Sequence, residues 1–402
     1  TALVHLDAWG KNDTWAGREV LVEYTSPNLF KPLHVGNLVG NIIGESLTRL
    51  FEFGGATVRR LNYPSDIGLT VAKAVWGLTK TKGDPDDIAA LGDAYRFGNE
   101  AYESDEGAKQ EIVAVNQALY AGSDENLLAL RARGIATSKR QLDAICERLG
   151  THFDAVIYES EASPIGVQLV KENVGSVFTL SEGAVVYEGE RAGLHTRVFL
   201  NSKGLPTYEA KDLGNFARKH ALYPQWNTMV VVTGNEQTEY FKVIFAAIGE
   251  VFPEAKGRQL EHIPTGFLTL STGKMSSRKG NVLTGESLLY EIEEAARERA
   301  ASTRTDDLDG LTKQVAVAAL KYQILRQATG TNIVFDKERA LSFEGDSGPY
   351  LQYTYARIKS LLEKAQEVGV VPNADQPPAT AYRLERHLYQ FGEVITAALK
   401  ER

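Results

Sequence analysis

The sequence predicts an α/β protein built on a parallel sheet, and three observations predict it. Residues 20–63 read as strand, turn, helix and strand. Met229-Val230-Val231-Val232-Thr233 is a second clean strand, again followed by a turn and a helix. Elsewhere the pattern is helical, first in an acidic stretch at 81–135 and then from about Leu311 onward.

The elements follow in order. Val20-Leu21-Val22-Glu23-Tyr24 is a short strand-like run. In Thr25-Ser26-Pro27-Asn28 the proline stops the ladder. Leu38, Ile42, Leu47, Leu50 and Phe51 recur at helical spacing, and Gly54-Gly55 ends that helix. Thr57–Tyr63 returns as a strand, and a βαβ unit implies parallel pairing. Residues 81–135 hold eleven acids against five bases and read as a mostly solvated helical insertion. Val177–Leu180, a Glu182-Gly183 turn and Ala184–Tyr187 form a strand pair. After Met229–Thr233, Gly234 turns into a helix over Thr238–Ile248. Val371–Pro378 is a proline-rich linker between helices, and no internal repeat is visible.

The chain has 402 residues, 43% of them hydrophobic and 24% charged, which excludes wholesale disorder and predicts two to three domains. A single cysteine, Cys146, excludes an internal disulfide and a cysteine-rich zinc site. No apolar run reaches the ~18 residues a membrane span needs. No charged-then-apolar leader follows Thr1. The net charge of −8 argues against a nucleic-acid partner only until it is divided. Residues 81–135 and 291–310 hold the acidic excess, and the remaining residues sum to slightly basic. Local cation clusters can therefore still steer a polyanion.

Two runs carry candidate chemistry. Lys31-Pro32-Leu33-His34-Val35-Gly36-Asn37 lies where a strand passes into a helix. Helix N-termini attract phosphate, Gly36 leaves room for close approach, and His34 and Asn37 can donate to phosphate oxygens. Alone, this run also reads as a turn before a capped helix. Gly273-Lys274-Met275-Ser276-Ser277-Arg278-Lys279-Gly280-Asn281 places three cations within six residues between glycines. Such a loop can stabilise a leaving pyrophosphate, although alone it also reads as a solvated basic loop.

Both runs together, in this order, resemble the His-Ile-Gly-His and Lys-Met-Ser-Lys-Ser signatures of class I aminoacyl-tRNA synthetases. Further blocks resemble arginyl-tRNA synthetase. These are Val22–Asn28 ahead of Lys31–Gly36, Leu61–Gly68, Pro206–Asp212, and Ser342–Tyr353. The resemblance covers roughly residues 18–365 and is least clear in 81–155. It implies a Rossmann-like catalytic core of class I synthetase type in 1–80 and 156–265. It further implies a helical, acidic insertion in 81–155, the basic loop with connecting helices in 266–338, and the start of a C-terminal α-helical bundle of anticodon-binding type in 339–402.

The implied activity is ATP-dependent activation of L-arginine to arginyl-adenylate and its transfer to tRNA(Arg). Mg²⁺ would accompany ATP, no structural metal is expected, and the protein is expected to be cytoplasmic and monomeric. The resemblance assigns Glu23, Ser26, Asn28, Tyr208, Asp212 and Gln237 to arginine. Asp212 would take the guanidinium, Tyr208 would help position it, Glu23 would add an acceptor, and Ser26 and Asn28 would hold the α-amino end. A planar, always-charged fork requires such acceptors, and a pocket carboxylate rejects citrulline and lysine. His34, Gly36, Asn37, Gly234, Met275 and Lys279 are assigned to ATP. His34, Asn37, Lys31, Lys274, Arg278 and Lys279 would carry the chemistry. Neither step needs a protein nucleophile, so positioning and charge stabilisation carry the rate.

Three departures stand out. Asn37 replaces the usual second His, which predicts surviving activity with altered ATP affinity. Ser277 replaces the second Lys, which leaves open which neighbouring cation meets the phosphates, with Lys31 as a supplement. The chain is also short for the family, which predicts a truncated form rather than a minimal natural one. Two other readings compete with a synthetase. One is a nucleotidyltransferase of the same superfamily, and the other is a non-catalytic paralogue that senses arginine or binds RNA.

Overall fold

Val20, Leu21 and Val22 are completely buried because the strand they form is covered by helices on both faces. The computed structural model of the chain describes residues 8–271, 284–300, 305–371 and 380–402. It opens with β1 (Glu19–Glu23), α1 (Val35–Phe53) and β2 (Thr57–Asn62). Then come α2 (Leu69–Thr81), α3 (Ile88–Ser104), α4 (Glu106–Ala121), α5 (Glu125–Leu149), β3 (Ala155–Val156) and α6 (Glu159–Glu172). β4 (Thr179–Ser181), β5 (Ala184–Tyr187) and β6 (Arg197–Leu200) form a small antiparallel sheet. α7 (Tyr208–Leu222), β7 (Thr228–Gly234), α8 (Thr238–Val251), β8 (Gln259–Thr265) and β9 (Leu268–Leu270) follow. The chain continues through α9 (Gly285–Ala300), α10 (Leu308–Leu325), β10 (Ile333–Phe335), α11 (Lys337–Ala340), α12 (Gly348–Glu367) and α13 (Arg383–Glu401).

The main sheet runs β3-β2-β1-β7-β8, and all four pairings are parallel. Side chains of a strand alternate between faces, so Val20 and Val22 meet α1 while Leu21 meets the α6–α8 side. Glu23 shares the parity of Leu21 and therefore points toward α7. The chain leaves β1 in one direction for β2 and β3 and later returns on its other side as β7 and β8. Beyond the C-terminal ends of the strands, such a reversal opens a crevice that binds ligands in α/β sheets.

The helices α6 and α7 approach closely because two glycines face the partner backbone. A Cβ on Gly166 would lie 1.8 Å from the Ala210 carbonyl oxygen, and one on Gly214 would lie 2.0 Å from that of Ala162. This contact fixes the height and rotation of α7, and with them every polar side chain it turns toward the sheet.

The structure departs from expectation in three places. The acidic insertion is helical but less solvated than its charge implied, because Leu91, Ala94, Ala108, Ile112 and Leu119 bury a shared core with α2 and Phe30. Val177 and Phe178 precede β4 rather than belonging to it, since both backbone N–H groups turn back onto the Asn173 carbonyl. β9 and β10 pair in parallel as an unforeseen two-stranded sheet. The proline-rich linker, apart from Val371, lies outside the described residues. At the C-terminus α13 returns to the core, where the Arg402 guanidinium lies over Trp15 and bonds Glu261 at 2.8 Å.

Among the described residues no helix is long and apolar enough to cross a membrane. Cys146 is buried, and burial pushes its thiol up to about 12, which makes it a packing residue rather than a nucleophile.

Candidate functional site

The turn after β1 is held in an unfavourable backbone conformation. Thr25, Ser26 and Phe30 have φ of 75°, 31° and 67°, where side chains other than glycine are rarely found. Such strain persists only where surroundings enforce it. Asn41 Nδ2 donates to Thr25 Oγ1 at 3.0 Å, and Asn37 Nδ2 donates to the Thr25 carbonyl at 2.9 Å. Asn37 Oδ1 also accepts from the His34 N–H, so its amide joins a capping box to the turn. The Asn37 amide thus braces the first turn of α1, and this uses one of its two N–H groups. Asn37→Ala should lower stability by about 1 kcal/mol, the usual worth of a cap. Urea denaturation checks this, and an unchanged midpoint would contradict the bracing role.

His34 caps α1, whose first turn holds no acid. Its Nδ1 accepts from the Gly36 N–H at 3.0 Å, which puts the ring proton of the neutral imidazole on Nε2. Burial and the nearby Lys31 hold its pKa below the usual value, so at neutral pH the ring is an uncharged donor. Lys31 is itself shifted down by burial, and its ammonium sits 5.2 Å from the Tyr95 ring centre. Gly36 is exposed beside them. Thr284 pairs with His34 as an isolated bridge, and the Gly285 N–H donates to the Leu33 carbonyl at 2.8 Å. Lys274, Met275, Ser276, Ser277, Arg278 and Lys279 lie outside the described residues.

On the other side of the crevice α7 and α8 build a buried polar cluster. Asp212 Oδ2 accepts from the Tyr240 hydroxyl at 2.5 Å. Glu23, at the end of β1, binds Lys219 Nζ at 2.5 Å and Asn215 Nδ2 at 2.8 Å, both through Oε2. An internal lysine thus already compensates its charge, and both bonds use the same carboxylate oxygen. Lys211, the obvious partner for Asp212 along the helix, instead bonds Glu159 at 2.6 Å. The Tyr63 hydroxyl is buried without a hydrogen-bond partner, as is Asn215 Oδ1. Removal from water and the Asp212 charge push the Tyr63 phenol well above its usual range.

The remaining predicted residues are scattered around this cluster. Tyr208 is 57% exposed at the start of α7, one turn before Asp212, with its ring 5.0 Å from Lys211 Nζ. Ser26 Oγ accepts from the Tyr63 backbone N–H at 3.3 Å, and Asn28 forms an isolated bridge with Ser65. Gly234 ends β7, and Gln237 precedes α8 one turn before Tyr240. Tyr63, Asn215, Lys219, Tyr240 and His262 were not singled out from the sequence. The spacing of Gln237 and Tyr240 is the one local signal that could have found any of them. His262 bonds Thr233 Oγ1 at 2.8 Å, stacks on Phe241 and is held down to about 4 by burial, so it is neutral.

Asp212 is the unbalanced group. Removal from water pushes its carboxyl up to about 7, and Glu23 and Glu159 add to the rise while Tyr240 and Lys219 oppose it. The folded chain thus holds a proton that the unfolded chain, with a value of 3.8, releases. This group's contribution to stability falls as pH climbs from 3.8 to about 7. A cation seated on Asp212 reverses that by expelling the proton. Affinity for such a cation should therefore rise with pH to about 7 and then level. Below that its Kd should grow about tenfold per pH unit. Titration calorimetry in buffers of different ionisation enthalpy should show up to one proton released, and a pH-independent Kd would contradict the assignment.

Among the described residues no group of three or more His, Cys, Asp and Glu side chains could hold a metal ion. The family model described as tRNA synthetases class I (R), catalytic domain, matches residues 1–337. The arginine–tRNA ligase of Borrelia garinii subsp. bavariensis is 31% identical over 386 residues, covering 90% of this chain and 65% of that protein. That of Treponema pallidum subsp. pallidum is 32% identical over 376 residues, covering 90% and 63%. The chain thus spans slightly less than two thirds of the length of these relatives. The Thermus thermophilus arginyl-tRNA synthetase structure matches with a TM-score of 0.78 at 24% identity, over 100% of this chain and 74% of that one. At that identity the likeness speaks to the fold, which it gives as the class I synthetase core. With the family model spanning most of its length, the chain belongs to the class I (R) tRNA synthetase family.

Proposed function

We propose that the chain performs the arginyl-tRNA synthetase reaction: ATP-dependent activation of L-arginine and transfer of the arginyl group to tRNA(Arg). The observation that carries this reading is Asp212, a carboxylate in the crevice between β1 and β7 with a tyrosine hydroxyl and, among the described residues, no cation on it. It is placed to receive a guanidinium. Tyr63, Gln237 and the rim residues Tyr208, Ser26 and Asn28 would hold the rest of the amino acid.

With the guanidinium on Asp212, the arginine carboxylate would extend toward the N-terminus of α1. There it would attack the α-phosphorus of ATP, and pyrophosphate would leave. The helix end and the neutral Nε2–H of His34 would meet phosphate oxygens, with Lys31 close by. Lys274, Arg278 and Lys279 would supply further positive charge, from a segment whose far end is anchored at Thr284 beside His34. Gly234, Gly36 and Met275 would border the adenosine. Mg²⁺ would arrive with ATP, held mainly by phosphates and water. The 3′-terminal ribose of tRNA would then attack the mixed anhydride. We assign the core to 1–80 and 156–265, the insertion to 81–155, the loop and connecting helices to 266–338, and a bundle of anticodon-binding type to 339–402. A monomeric cytoplasmic protein fits this role.

Arginine-dependent ATP–pyrophosphate exchange, with and without tRNA(Arg), tests the reading. Exchange with arginine but not with lysine or citrulline supports it. Arginine binding without exchange under either condition favours the arginine-sensing or RNA-binding paralogue, and no arginine binding contradicts both.

A further inference from the structure

The carboxylates that surround the pocket fall into two groups. Glu159 holds Lys211 at 2.6 Å, Asp66 holds Arg131 at 2.5 Å, Glu209 faces Arg197 at 3.5 Å, and Glu23 holds Lys219 at 2.5 Å. Among the described residues Asp212 has no such cation and bonds only the Tyr240 hydroxyl. Lys219 is the member of this set that shares its helix face with the pocket, and it is 3% exposed beside a Glu23 that is 5% exposed.

We infer that Lys219 sets the charge of the pocket: by neutralising Glu23 it leaves Asp212 as the single uncompensated carboxylate, so that the site takes up one monocation. The inference rests on the arginine reading above. Lys219 does not touch the amino acid in this account and acts as a positioning residue through Glu23. Two carboxylates that share one buried site cannot both ionise without a counter-charge, so one of them keeps a proton. Removing Lys219 would put Glu23 and Asp212 in that situation, and arginine would then have to displace an additional, more tightly held proton. Removing the Glu23 charge instead would leave Lys219 facing Asp212 and hold that carboxyl ionised to lower pH.

The titratable groups facing this cluster are few. Tyr240 comes from α8, Tyr63 from the end of β2, Glu159 with Lys211 from α6 and α7, and Asp66 with Arg131 from the loop before α2 and from α5. Arg197 lies over the Tyr240 ring and pairs with Glu209. The phenols are shifted upward, and Glu159, though also raised by burial, is paired with Lys211, so Asp212, the carboxyl without a counter-charge among the described residues, carries the arginine-linked proton.

Arginine affinity measured by titration calorimetry from pH 5.5 to 9 tests the inference on the full chain. Lys219→Met should move the midpoint of the pH profile up by about one unit or more, with arginine about tenfold weaker at pH 7 and recovering toward pH 9. Lys219→Arg should keep the wild-type profile. Glu23→Gln should move the midpoint down, and the Glu23→Gln, Lys219→Met double variant should return it toward wild type. A uniform loss of affinity at every pH in Lys219→Met, or a midpoint unmoved by Glu23→Gln, would overturn the charge-setting role. Should Lys219→Met fail to fold, the direction of the Glu23→Gln shift decides alone. Absence of arginine binding in the wild-type chain would instead strike at the functional reading.

Discussion

Asp212→Asn is expected to weaken arginine binding by at least about 100-fold while leaving ATP binding within twofold of wild type. The amide keeps the shape of the carboxylate and the Tyr240 contact but removes the charge. Breaking a buried ion pair by removing one partner costs about 3–5 kcal/mol, which is two or more orders of magnitude in Kd. The variant itself should not be destabilised near neutral pH, because the native carboxyl already sits at about 7 and is half protonated there. Thermal stabilisation by arginine should therefore vanish while stabilisation by ATP persists. Retained arginine stabilisation would remove Asp212 from the guanidinium site.

The second large effect is expected from Gly166→Ala. The new methyl would enter a space 1.8 Å from the Ala210 carbonyl oxygen, less than the separation of any non-bonded pair. α6 and α7 would have to part, at a cost of about 3 kcal/mol, the upper end for overpacking a core. The loss would not stay structural, since Asp212, Asn215 and Lys219 all ride on α7. Arginine affinity should fall together with the urea midpoint, whereas ATP affinity, built on α1, should change less. A stable variant with native arginine affinity would show that the helix contact does not hold the pocket.

Much of the architecture was legible because it is local. The run Val20–Tyr24 and the strand Met229–Thr233 are apolar on both faces, as buried parallel strands are, and the glycines and proline around α1 mark its ends. The resemblance brought His34, Glu23 and Asp212 to notice, which lie at the N-cap of α1, the end of β1 and in α7. What escaped was what only packing assembles. β9 and β10 are three-residue strands with too few residues to show a period. Lys219 reads in the sequence as an ordinary cation near a helix C-terminus, and nothing local reveals that it reaches across to β1. Tyr63 and Tyr240 meet Asp212 from different elements for the same reason. Tyr208 lies at the exposed start of α7, which its i,i+4 spacing from Asp212 does not reveal, because a shared helix face says nothing about burial. The capping role of Asn37 was also hidden, because a capping box is seen only once the helix start is folded.

A crystal structure with L-arginine bound is the most direct test of the central claim that the crevice between β1 and β7 is an arginine site organised by Asp212. The account predicts the guanidinium against the Asp212 carboxylate, the Tyr63 hydroxyl within hydrogen-bond distance of it, Lys219 still on Glu23, and the arginine carboxylate pointing toward His34 and the start of α1. Arginine seated elsewhere, or bound in this crevice with its guanidinium away from Asp212, would contradict it.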